Sequence, residues 1–387
     1  MRVLLLNNIP APYFLPIFRQ LGELNRWELV VCFSNSWKSD LGWEEGTIEA
    51  ELPVRTIYLD QEESIRSEVG RGVLTRAMTM LRLLRRERPE YLICYGYSLV
   101  PQLTALLWAI LTGTRFAVIG DANIHCDRTR GLKRLLKGVW LRVLTRQAAA
   151  ILTIGKANRQ FWEKYGAAEE RMFPVPFAVD NNLFLTDTTS RLANRQSEGL
   201  TDRVVFISVG RLIARKNVDL LIKAVQRLDP SVPVTLLIAG HGEERSYLES
   251  LAGADPRIQF LGGVRPATLS SCYGLADALI LAARDEPWGL VTNEAMASGL
   301  AVIAHQHCGS TIDLVSDDNG ITLTSFEIDE LVEAMRHMIN DRARLERMKE
   351  MSRVKIAAWS VEAAVSGLTL AIERTKGDKY GSERDKR

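Results

Sequence analysis

The stretch ADALILAARDEPWGLVTNEAMASGLAVIAH, residues 276–305, contains the pattern that decides the fold. It begins with an apolar run that we predict to be a strand ending at Ala283. A polar loop, a helix rich in Ala and Met that stops at Gly299, and a second apolar run follow. Two strands joined through a helix form a parallel βαβ unit, and parallel strands are buried on both faces. The stretch therefore predicts an α/β sheet.

The same alternation of apolar runs and helix patterns covers the whole chain. Such a series predicts parallel sheets with helices on both faces, so we expect two doubly wound, Rossmann-like domains facing each other across a cleft. The runs are RVLLL, ELVVCF, YLICYG, RFAVIG and AAILTIG in the first half, and RVVFISVG, VTLLIAG, IQFLGG, ADALILAA and LAVIAH in the second.

A polar stretch without periodicity, residues 187–202, separates the two sets of strands and is interpreted as a linker. The helix pattern near the end of the chain is predicted to pack back on the first domain, and the charged tail is expected to be mobile. The predicted parts are a first domain at 1–185, a linker at 186–202, a second domain at 203–355, the returning helix at 356–375 and the tail at 376–387.

Composition narrows the class of protein. The 49 Lys and Arg side chains nearly balance 47 Asp and Glu, so overall charge gives no reason to expect a nucleic-acid partner. The five cysteines include no C-x-x-C pair, which argues against a disulfide framework or a zinc knuckle. The first residues resemble a strand rather than a signal peptide, and the longest apolar stretch, 103–111, is shorter than the roughly 20 residues of a membrane span. We expect a soluble cytoplasmic protein.

Residues that directly follow strands should carry the chemistry, because ligands of doubly wound sheets bind at the carboxyl ends of the strands. Arg211 and Lys216 lie in the first strand-to-helix loop of the second half, just before Asn217, a suitable helix N-cap. Two cations beside a helix N-terminus form an anion site, although both could instead be solvated loop charges. The loop has no G-x-G-x-x-G or Walker pattern, so a dinucleotide or P-loop site is not supported.

Glycines and two acids follow the other strands of this half. Gly240 and Gly242 would let a ligand approach the backbone or would simply turn the chain. Glu286 lies in a loop beside Gly289, and Glu294 lies in the first turn of the next helix. Cations can hold a diphosphate, and carboxylates accept hydrogen bonds from sugar hydroxyls. Together these groups suit a nucleotide sugar.

Two further groups follow the strand LAVIAH. Residues 309–311 could add another helix N-terminus to the same rim. His305, His307 and Cys308 are the only cluster with metal-ligand chemistry, but a metal site normally needs three or four ligands in the right geometry, so we predict no metal here.

With these residues in view, the second half resembles the retaining glycosyltransferases of family 4, also called group 1 glycosyltransferases, which have the two-Rossmann-domain GT-B fold. The matching motifs are GRL followed by Lys216 and Asn217, then IAGHGEE, FLGGV, an E-x7-E pair with GL inside it, and EAMASGLAVIA. Their order runs through about the whole second half. The chain departs from the family pattern at Ala282, Ala283, Trp288 and Ala301, none of which replaces a charged group.

The resemblance assigns roles residue by residue. Arg211 and Lys216 would bind the donor diphosphate and stabilise the charge that develops as it leaves. Glu286 would bind hydroxyls of the transferred sugar, and Glu294 would accept hydrogen bonds from the ribose. The implied catalytic residues are Arg211, Lys216, Glu286 and His125, and the implied donor-binding residues are Gly210, Gly240, Gly242, Val264, Trp288, Gly289, Leu290 and Glu294.

The first half is less similar to the family, because its first loop, NNIPAPYFLPIF, lacks the usual paired glycines. His125 would contact the transferred sugar or, equally well, be satisfied by hydrogen bonds within its loop. Tyr13, Asp121 and Asn123 are weaker candidates for the acceptor side.

The family retains anomeric configuration, with the leaving phosphate helping to deprotonate the acceptor, so catalysis would rest on positioning and electrostatics. The chain has no Asp-x-Asp sequence, and we predict a metal-independent enzyme without a cofactor, acting in polysaccharide or glycoconjugate biosynthesis. Two alternatives keep the fold: a nucleotide-sugar epimerase or glycan phosphorylase, and a non-catalytic sensor. The sensor has little use for cations placed on a leaving group.

Two segments of the first half are locally basic, residues 71–88 and 128–146, and the second contains seven basic residues and no acid. It also has apolar residues at helical spacing, which suits either a helix on an anionic membrane or a core-facing helix with a solvated basic face. The membrane alternative favours a polyprenyl-linked saccharide acceptor at the inner face of the membrane, the other a small soluble acceptor. The apolar residues are Leu132, Leu135, Leu136, Val139, Trp140 and Val143.

Overall fold

The structure, a computed structural model, describes residues 1–35, 52–61, 72–126, 129–185, 187–264 and 266–377. It divides into two compact units. The first contains Met1–Pro176 and Val361–Arg387, and the second contains Phe177–Ser360. Each unit is built on one parallel sheet, as the alternating apolar runs predict.

Within the described residues, the sheet of the first unit has seven strands in the order β3-β2-β1-β4-β5-β6-β7, all parallel. The inner strands are buried along almost their whole length, which explains their continuous apolar runs. The order of the strands reverses between β1 and β4, the switch point at which doubly wound sheets open a crevice. The strands are β1 Arg2–Asn7, β2 Glu28–Phe33, β3 Arg55–Tyr58, β4 Tyr91–Tyr95, β5 Arg115–Ile119, β6 Ala150–Thr153 and β7 Met172–Pro174.

Helices cover both faces of this sheet. Helices α2 to α5 share one hydrophobic core with the strands, while α1 packs on α14, which also contacts β5, β6 and β7. The hydroxyls of Tyr91 and Thr375 are 2.7 Å apart in the interior, so α14 is an integral part of the first unit. The helices are α1 Leu15–Glu23, α2 Val73–Glu87, α3 Val100–Thr112, α4 Gly131–Gln147, α5 Lys156–Lys164 and α14 Val361–Thr375.

In the second unit, the part of the chain that the structure describes forms a sheet of six parallel strands in the order β10-β9-β8-β11-β12-β13, and its switch point lies between β8 and β11. The strands are β8 Val204–Val209, β9 Val234–Ala239, β10 Ile258–Gly262, β11 Ala278–Leu281, β12 Ala301–His305 and β13 Gly320–Leu323. The helices are α6 Thr188–Ser197, α7 Val218–Arg227, α8 Arg245–Ala252, α9 Pro266–Leu275, α10 Val291–Ala297, α11 Thr311–Leu314, α12 Ile328–Asn340 and α13 Arg342–Ile356.

The segment interpreted as a linker is a helix, α6, in the second unit. Its first turn is capped by Asp187, whose carboxylate accepts a hydrogen bond from the backbone N–H of Ser190 at 2.9 Å. Arg191 and Arg195 are buried, and Arg195 pairs with Asp277 at 3.1 Å. Buried arginines escape a search for apolar periodicity, which is why the prediction was wrong. The unit boundary lies at 176/177 instead of 185, and the linker's residue 186 lies outside the described residues.

The helical run Arg342–Thr375 is long and apolar enough to cross a membrane by length and composition alone. It consists of α13 and α14, which are separate helices on either side of residues 357–360. Eight residues of α14 are buried in the first unit, and core helices of soluble proteins pass the same test. The predicted tail lies outside the described residues from residue 378 onward.

Candidate functional site

A shallow pocket, open to solvent, lies at the switch point of the second sheet. It is lined by residues 208–212 at the end of β8, by Lys216 and Val218, and by residues 280–282 at the end of β11. This is the crevice where doubly wound sheets bind ligands, and both predicted cations, Arg211 and Lys216, contribute to its lining.

The loop after β8 is held against the loop after β11 by Asn217. Its side chain donates to the carbonyl of Ala282 at 3.0 Å and accepts from Nε of Arg284 at 2.8 Å. Asn217 does occupy the N-cap position of α7, but it has a left-handed φ of 51° and its side chain makes no capping hydrogen bond. The predicted N-cap position is therefore confirmed, but the side chain joins two loops of the site instead of capping the helix.

Lys216 and Glu286 form an ion pair between these two loops. Their side chains are only 15% and 13% exposed, so water screens the pair less than it would at the surface. Arg211, in contrast, is exposed, and no carboxylate in the described part of the chain forms an ion pair with it. Beside the pocket, the site thus presents the paired Lys216 and the exposed Arg211.

The glycines after β8 and β9 allow the two loops to pack on each other. A Cβ on Gly240 would lie 1.8 Å from the carbonyl oxygen of Gly210, and one on Gly242 would lie 2.2 Å from that of Leu212. Both glycines have positive φ angles, as does Gly210. Gly240 and Gly242 therefore do turn the chain, and the absence of a side chain lets the backbones of the two loops pack directly on each other.

The loop that carries Glu286 is tightly folded around Gly289, whose φ is 90°. A Cβ at Gly289 would lie 2.9 Å from Leu281 and 3.1 Å from the Glu286 side chain. Within the described residues, no protein acceptor takes the backbone N–H of Gly289 or Leu290. These two N–H groups are therefore available to a ligand next to the Glu286 carboxylate.

The side chain of Trp288 anchors this loop in the interior. Its indole N–H donates to Oδ1 of Asn293 at 2.9 Å, and Asn293 donates to the carbonyl of Phe177 at 3.0 Å. The ring stacks on Trp359 with centroids 5.0 Å apart and is 3% exposed. Trp288 can contribute its backbone to a donor site, whereas its side chain is committed to packing.

Residues 309–311 do lead into a helix N-terminus, since α11 begins at Thr311, but the backbone N–H groups of all three are already used within the protein. The N–H of Gly309 donates to the carbonyl of Glu286 at 3.0 Å, and that of Ser310 donates to the carbonyl of Trp288 at 2.9 Å. The helix that follows, α11, is only four residues long. The segment instead supports the acidic loop from behind.

Glu294 lies in the first turn of α10 and accepts a hydrogen bond from the hydroxyl of Tyr273 at 2.7 Å. Burial raises the pKa of Glu294 to about 7, although the hydrogen bond from Tyr273 partly opposes the change. Burial and the neighbouring carboxylate also raise the pKa of Tyr273 well above its usual value. Sequence reasoning found Glu294 but missed Tyr273, which lies in α9 and follows no motif.

The metal-like cluster is used for packing. His305 is buried, stacks on Phe326 at 3.8 Å and accepts a hydrogen bond at Nδ1 from the N–H of His307. The Cys308 thiol is also buried. Across the described ranges, no group of three or more His, Cys, Asp or Glu side chains is placed to hold a metal ion. Val264, the last predicted donor residue, follows the edge strand β10 and is half-buried.

In the first unit, Asn123 has a structural role. It is fully buried, and its Oδ1 accepts from the N–H groups of His125 at 2.8 Å and Cys126 at 3.0 Å. Asn158 holds the same loop by donating to the carbonyls of Gly120 and Ala122. Asn123 is therefore not free to bind an acceptor, whereas the turn that it stabilises leaves His125 exposed.

Tyr13 and Asp121 come together at the carboxyl edge of the first sheet, after β1 and β5 respectively. Burial, followed by the nearby negative charge of Asp121, raises the pKa of Tyr13 to about 12. The phenol therefore stays protonated at neutral pH and can donate a hydrogen bond. Asp121 itself is exposed.

Comparison with known proteins places these residues in context. Residues 190–355 match the model of a family described as glycosyl transferases group 1. That range contains the predicted site residues of the second unit, from Gly210 to Glu294.

Curated relatives match part of the chain. The alpha-D-kanosaminyltransferase of Streptomyces kanamyceticus is 29% identical over 226 residues, which cover 57% of this chain and 58% of that protein. The D-inositol 3-phosphate glycosyltransferase of Nocardia farcinica is 30% identical over 275 residues, covering 68% and 59%. The chain thus spans little more than half the length of the curated relatives it matches.

A solved structure matches over nearly the whole chain. HepE of Anabaena, crystallised with UDP, superposes with a TM-score of 0.75 at 16% identity, covering 97% of this chain and 100% of that one. Sequence identity is low, so this likeness concerns the fold. The chain has the two-Rossmann-domain GT-B fold, and its residues 190–355 match the glycosyl transferases group 1 family.

Proposed function

We propose that this protein is a metal-independent, cofactor-independent glycosyltransferase. It moves a sugar from a nucleoside-diphosphate sugar to an acceptor hydroxyl with retention of anomeric configuration, in cytoplasmic polysaccharide or glycoconjugate biosynthesis. The observation that carries the proposal is the Lys216–Glu286 ion pair at the switch point of the second sheet, with exposed Arg211 beside it. Structures of Anabaena HepE with UDP and with UDP-glucose support a nucleotide sugar as donor.

The donor diphosphate would bind at the two loops that Asn217 joins. The loop after β8 contributes Arg211, Arg215 and Lys216 and no acid, so it attracts a dianion. The Arg215 guanidinium donates to the carbonyl of Asp285 at 2.8 Å, which leaves Arg211 as the cation that can move to the phosphates. As the bond from sugar to phosphate breaks, negative charge grows on the leaving diphosphate, and Arg211 and Lys216 stabilise it.

The transferred sugar would bind at Glu286. Its carboxylate is already oriented by Lys216, so it can accept hydrogen bonds from sugar hydroxyls without first being ordered. The available N–H groups of Gly289 and Leu290 donate to oxygens of the same sugar or of the adjacent phosphate. Lys216 therefore has two functions, since it positions the residue that binds the sugar and stabilises the departing phosphate.

The ribose would bind at Glu294. In the described structure its carboxylate is held by Tyr273, and the remaining acceptor capacity can serve ribose hydroxyls when the acid is ionised. Because the pKa of Glu294 is about 7, the acceptor form predominates only above neutrality. Donor affinity should therefore rise as the pH increases through 7.

The test is a thermal-shift panel with UDP, GDP, ADP and dTDP, with and without magnesium, followed by NMR analysis of the anomeric configuration of any product. We expect one nucleoside diphosphate to raise the melting temperature without metal, and the corresponding nucleotide sugar to give an acceptor-linked glycoside with retained configuration. Inversion would refute retention, a magnesium requirement would refute metal independence, and free nucleoside diphosphate without glycoside would favour an epimerase.

A further inference from the structure

Helix α4 of the first unit has two apolar faces, although a helix on the surface of a domain needs only one. Its buried face is formed by Gly138, Leu141, Leu144 and Thr145. With 3.6 residues per turn, the other apolar residues fall on the opposite side of the helix. They form an exposed stripe consisting of Leu132, Leu135, Leu136, Val139 and Val143.

The stripe is strongly exposed to solvent. Leu132 is 70% exposed, Leu135 62%, Leu136 61%, Val139 53% and Val143 37%. The core-facing alternative expected these five residues and Trp140 to be buried. Of the six, only Trp140 packs inward, and its indole N–H donates to the carbonyl of Tyr97 at 3.0 Å. Five adjacent apolar side chains in water indicate a binding surface.

The charge of the helix indicates which partner fits this surface. Within residues 129–147 there are six basic residues and no acid. Lys133, Arg142 and Arg146 are exposed beside the stripe. A second copy of the chain would bring two such basic helices together and is disfavoured by repulsion. An anionic lipid surface instead accepts both the apolar side chains and the flanking cations. Arg128, the seventh basic residue of the segment, lies outside the described residues.

Neighbouring helices extend the apolar surface at one edge of the sheet. Helices α2, α3 and α4 follow parallel strands and belong to the same hydrophobic core, so all three begin at the carboxyl edge on one face. The first residues of α2, Val73 and Leu74, are 70% and 73% exposed, and Leu99, just before α3, is 45% exposed. Exposed apolar side chains thus flank the stripe where the helices begin, and α3 exposes two more further along, Leu107 at 49% and Leu111 at 85%.

We propose that the α4 stripe docks this protein on an anionic membrane surface. The five apolar side chains insert at the boundary between headgroups and acyl chains, and the flanking Lys and Arg side chains bind the anionic headgroups. Docking by this face brings the carboxyl edge of the first sheet, where Tyr13 and His125 lie, close to the membrane. The inference does not depend on the proposed transferase activity.

Co-sedimentation of the full chain with lipid vesicles tests the proposal. We expect the protein to bind vesicles of phosphatidylcholine with 30% phosphatidylglycerol at least tenfold more tightly than vesicles of phosphatidylcholine alone. Binding should weaken as salt is raised, because screening reduces the attraction between the cations and the headgroups. Equal partition into both kinds of vesicle, or no binding to either, would overturn the proposal.

Variants assign the binding to α4. The triple variant Leu132→Ser/Leu135→Ser/Leu136→Ser should lose at least tenfold in vesicle binding, and Lys133→Gln/Arg146→Gln, which removes two of the cations beside the stripe, should lose severalfold. A matched control, Leu192→Ser/Val354→Ser/Leu370→Ser, removes exposed apolar residues of other helices and should bind like the wild type. All these side chains are on the surface, and an unchanged melting temperature verifies folding.

Two outcomes would contradict the assignment. Equal loss in the control and the α4 triple variant would show that binding is not specific to this helix. A wild-type dimer that the α4 triple variant converts to a monomer, without vesicle binding by either protein, would assign the stripe to a second copy of the chain. Light scattering after size exclusion measures this second outcome.

Discussion

Lys216 and Glu286 are separated by 70 residues in the sequence and meet because their loops follow the two strands that flank the switch point. Each is mostly shielded from water by its surroundings, so either one left alone would be a poorly solvated charge. The pair therefore couples the orientation of the proposed sugar ligand to the position of the proposed phosphate ligand.

Replacing Lys216 with Ala should lower the sugar-transfer rate by about 10²-fold, since a donor to the developing charge is removed and Glu286 loses its orienting partner. Lys216→Arg keeps the charge and should recover part of the rate. The measurement is release of nucleoside diphosphate in the presence of acceptor. Lys223→Ala, which removes a partly exposed ion pair with Asp219 on α7, is the matched control and should leave the rate within about twofold. A Lys216→Ala rate equal to that of the wild type would remove this residue from the mechanism.

Glu294 should make the stability of the protein depend on pH. Its pKa is about 7 when folded and about 4.3 in an unfolded chain, so the folded state binds the proton more tightly. The resulting stabilisation of the folded state is complete at a pH below the pKa of the unfolded chain, and it is lost as the pH rises through 7. Compared with Glu294→Gln, the wild type should lose about 2 kcal/mol of unfolding free energy between pH 5 and pH 8. Urea titrations of both proteins measure the difference, and parallel pH profiles would show that Glu294 does not titrate in this range.

Individual residues were predictable from the sequence where their position relative to a predicted strand identifies them. Arg211, Lys216 and Glu286 follow apolar strands directly, and this position alone brings them to one edge of a parallel sheet. Tyr273 was not predictable, because it reaches Glu294 from a different helix, 21 residues away, and only the packing of α9 beside α10 creates the contact. Asn217 was placed correctly but given the wrong partner, since the competing carbonyl of Ala282 comes from another loop.

Among the elements, the loops after β8 and β9 depend on glycine for their contact. Gly240→Ala should destabilise the protein by about 1 kcal/mol for its positive φ and by a further 1–3 kcal/mol or so for the clash with the carbonyl of Gly210. Gly253→Ala should lose only the first of these two amounts, the one due to positive φ, because a Cβ there meets no atom within 4 Å. Unfolding in urea compares the two variants. Equal losses would show that the loops separate easily.

Helix α6 should contribute to stability through its buried arginines. Arg195 pairs with Asp277 and donates to the carbonyls of Leu200 and Arg203, so Arg195→Ala leaves buried acceptors without a donor. We expect a loss of about 3 kcal/mol. Arg227→Ala removes an ion pair with Asp329 in which both side chains are more than half exposed, and should cost under about 1 kcal/mol. A small effect of Arg195→Ala on urea unfolding would mean that α6 is only loosely attached.

The helix α6 was missed because its stability comes from charge pairing rather than from an apolar stripe. Its few apolar residues give no helical period, and Leu192 is in fact 58% exposed. For α4 the reverse holds, because the apolar period was evident in the sequence but did not reveal which side of the helix faces the core. Periodicity identifies helices, whereas burial depends on the neighbours that tertiary packing supplies.

At the scale of the whole molecule, the second unit is one continuous segment, and the first unit requires two. A fragment of residues 177–360 should therefore fold alone and unfold cooperatively. A fragment of residues 1–176 lacks α14 and would expose the sheet face that this helix covers, so it should bind a hydrophobic dye and show no cooperative transition. Circular dichroism during heating measures both. A stable fragment 1–176 would show that α14 is dispensable.

The two-sheet fold was predictable because continuous apolar strands that alternate with helices can bury their side chains in few other architectures. The order of strands within each sheet was not, since it depends on which strand edges pair, and the sequence specifies that only through contacts between distant residues. The unit boundary at 176/177 falls inside a stretch, residues 175–185, that has no change of composition to mark it.

The two-part construction of the first unit also determines when it can be completed during synthesis on the ribosome. The 184 residues from 177 to 360 must be translated between its first part and α14. At about 5–20 residues per second this takes roughly 10–40 s, during which the partner surface for α14 is present without its helix. The nascent chain should therefore bind cellular chaperones in this interval, and the second unit, although later in the sequence, is the first to reach its native state.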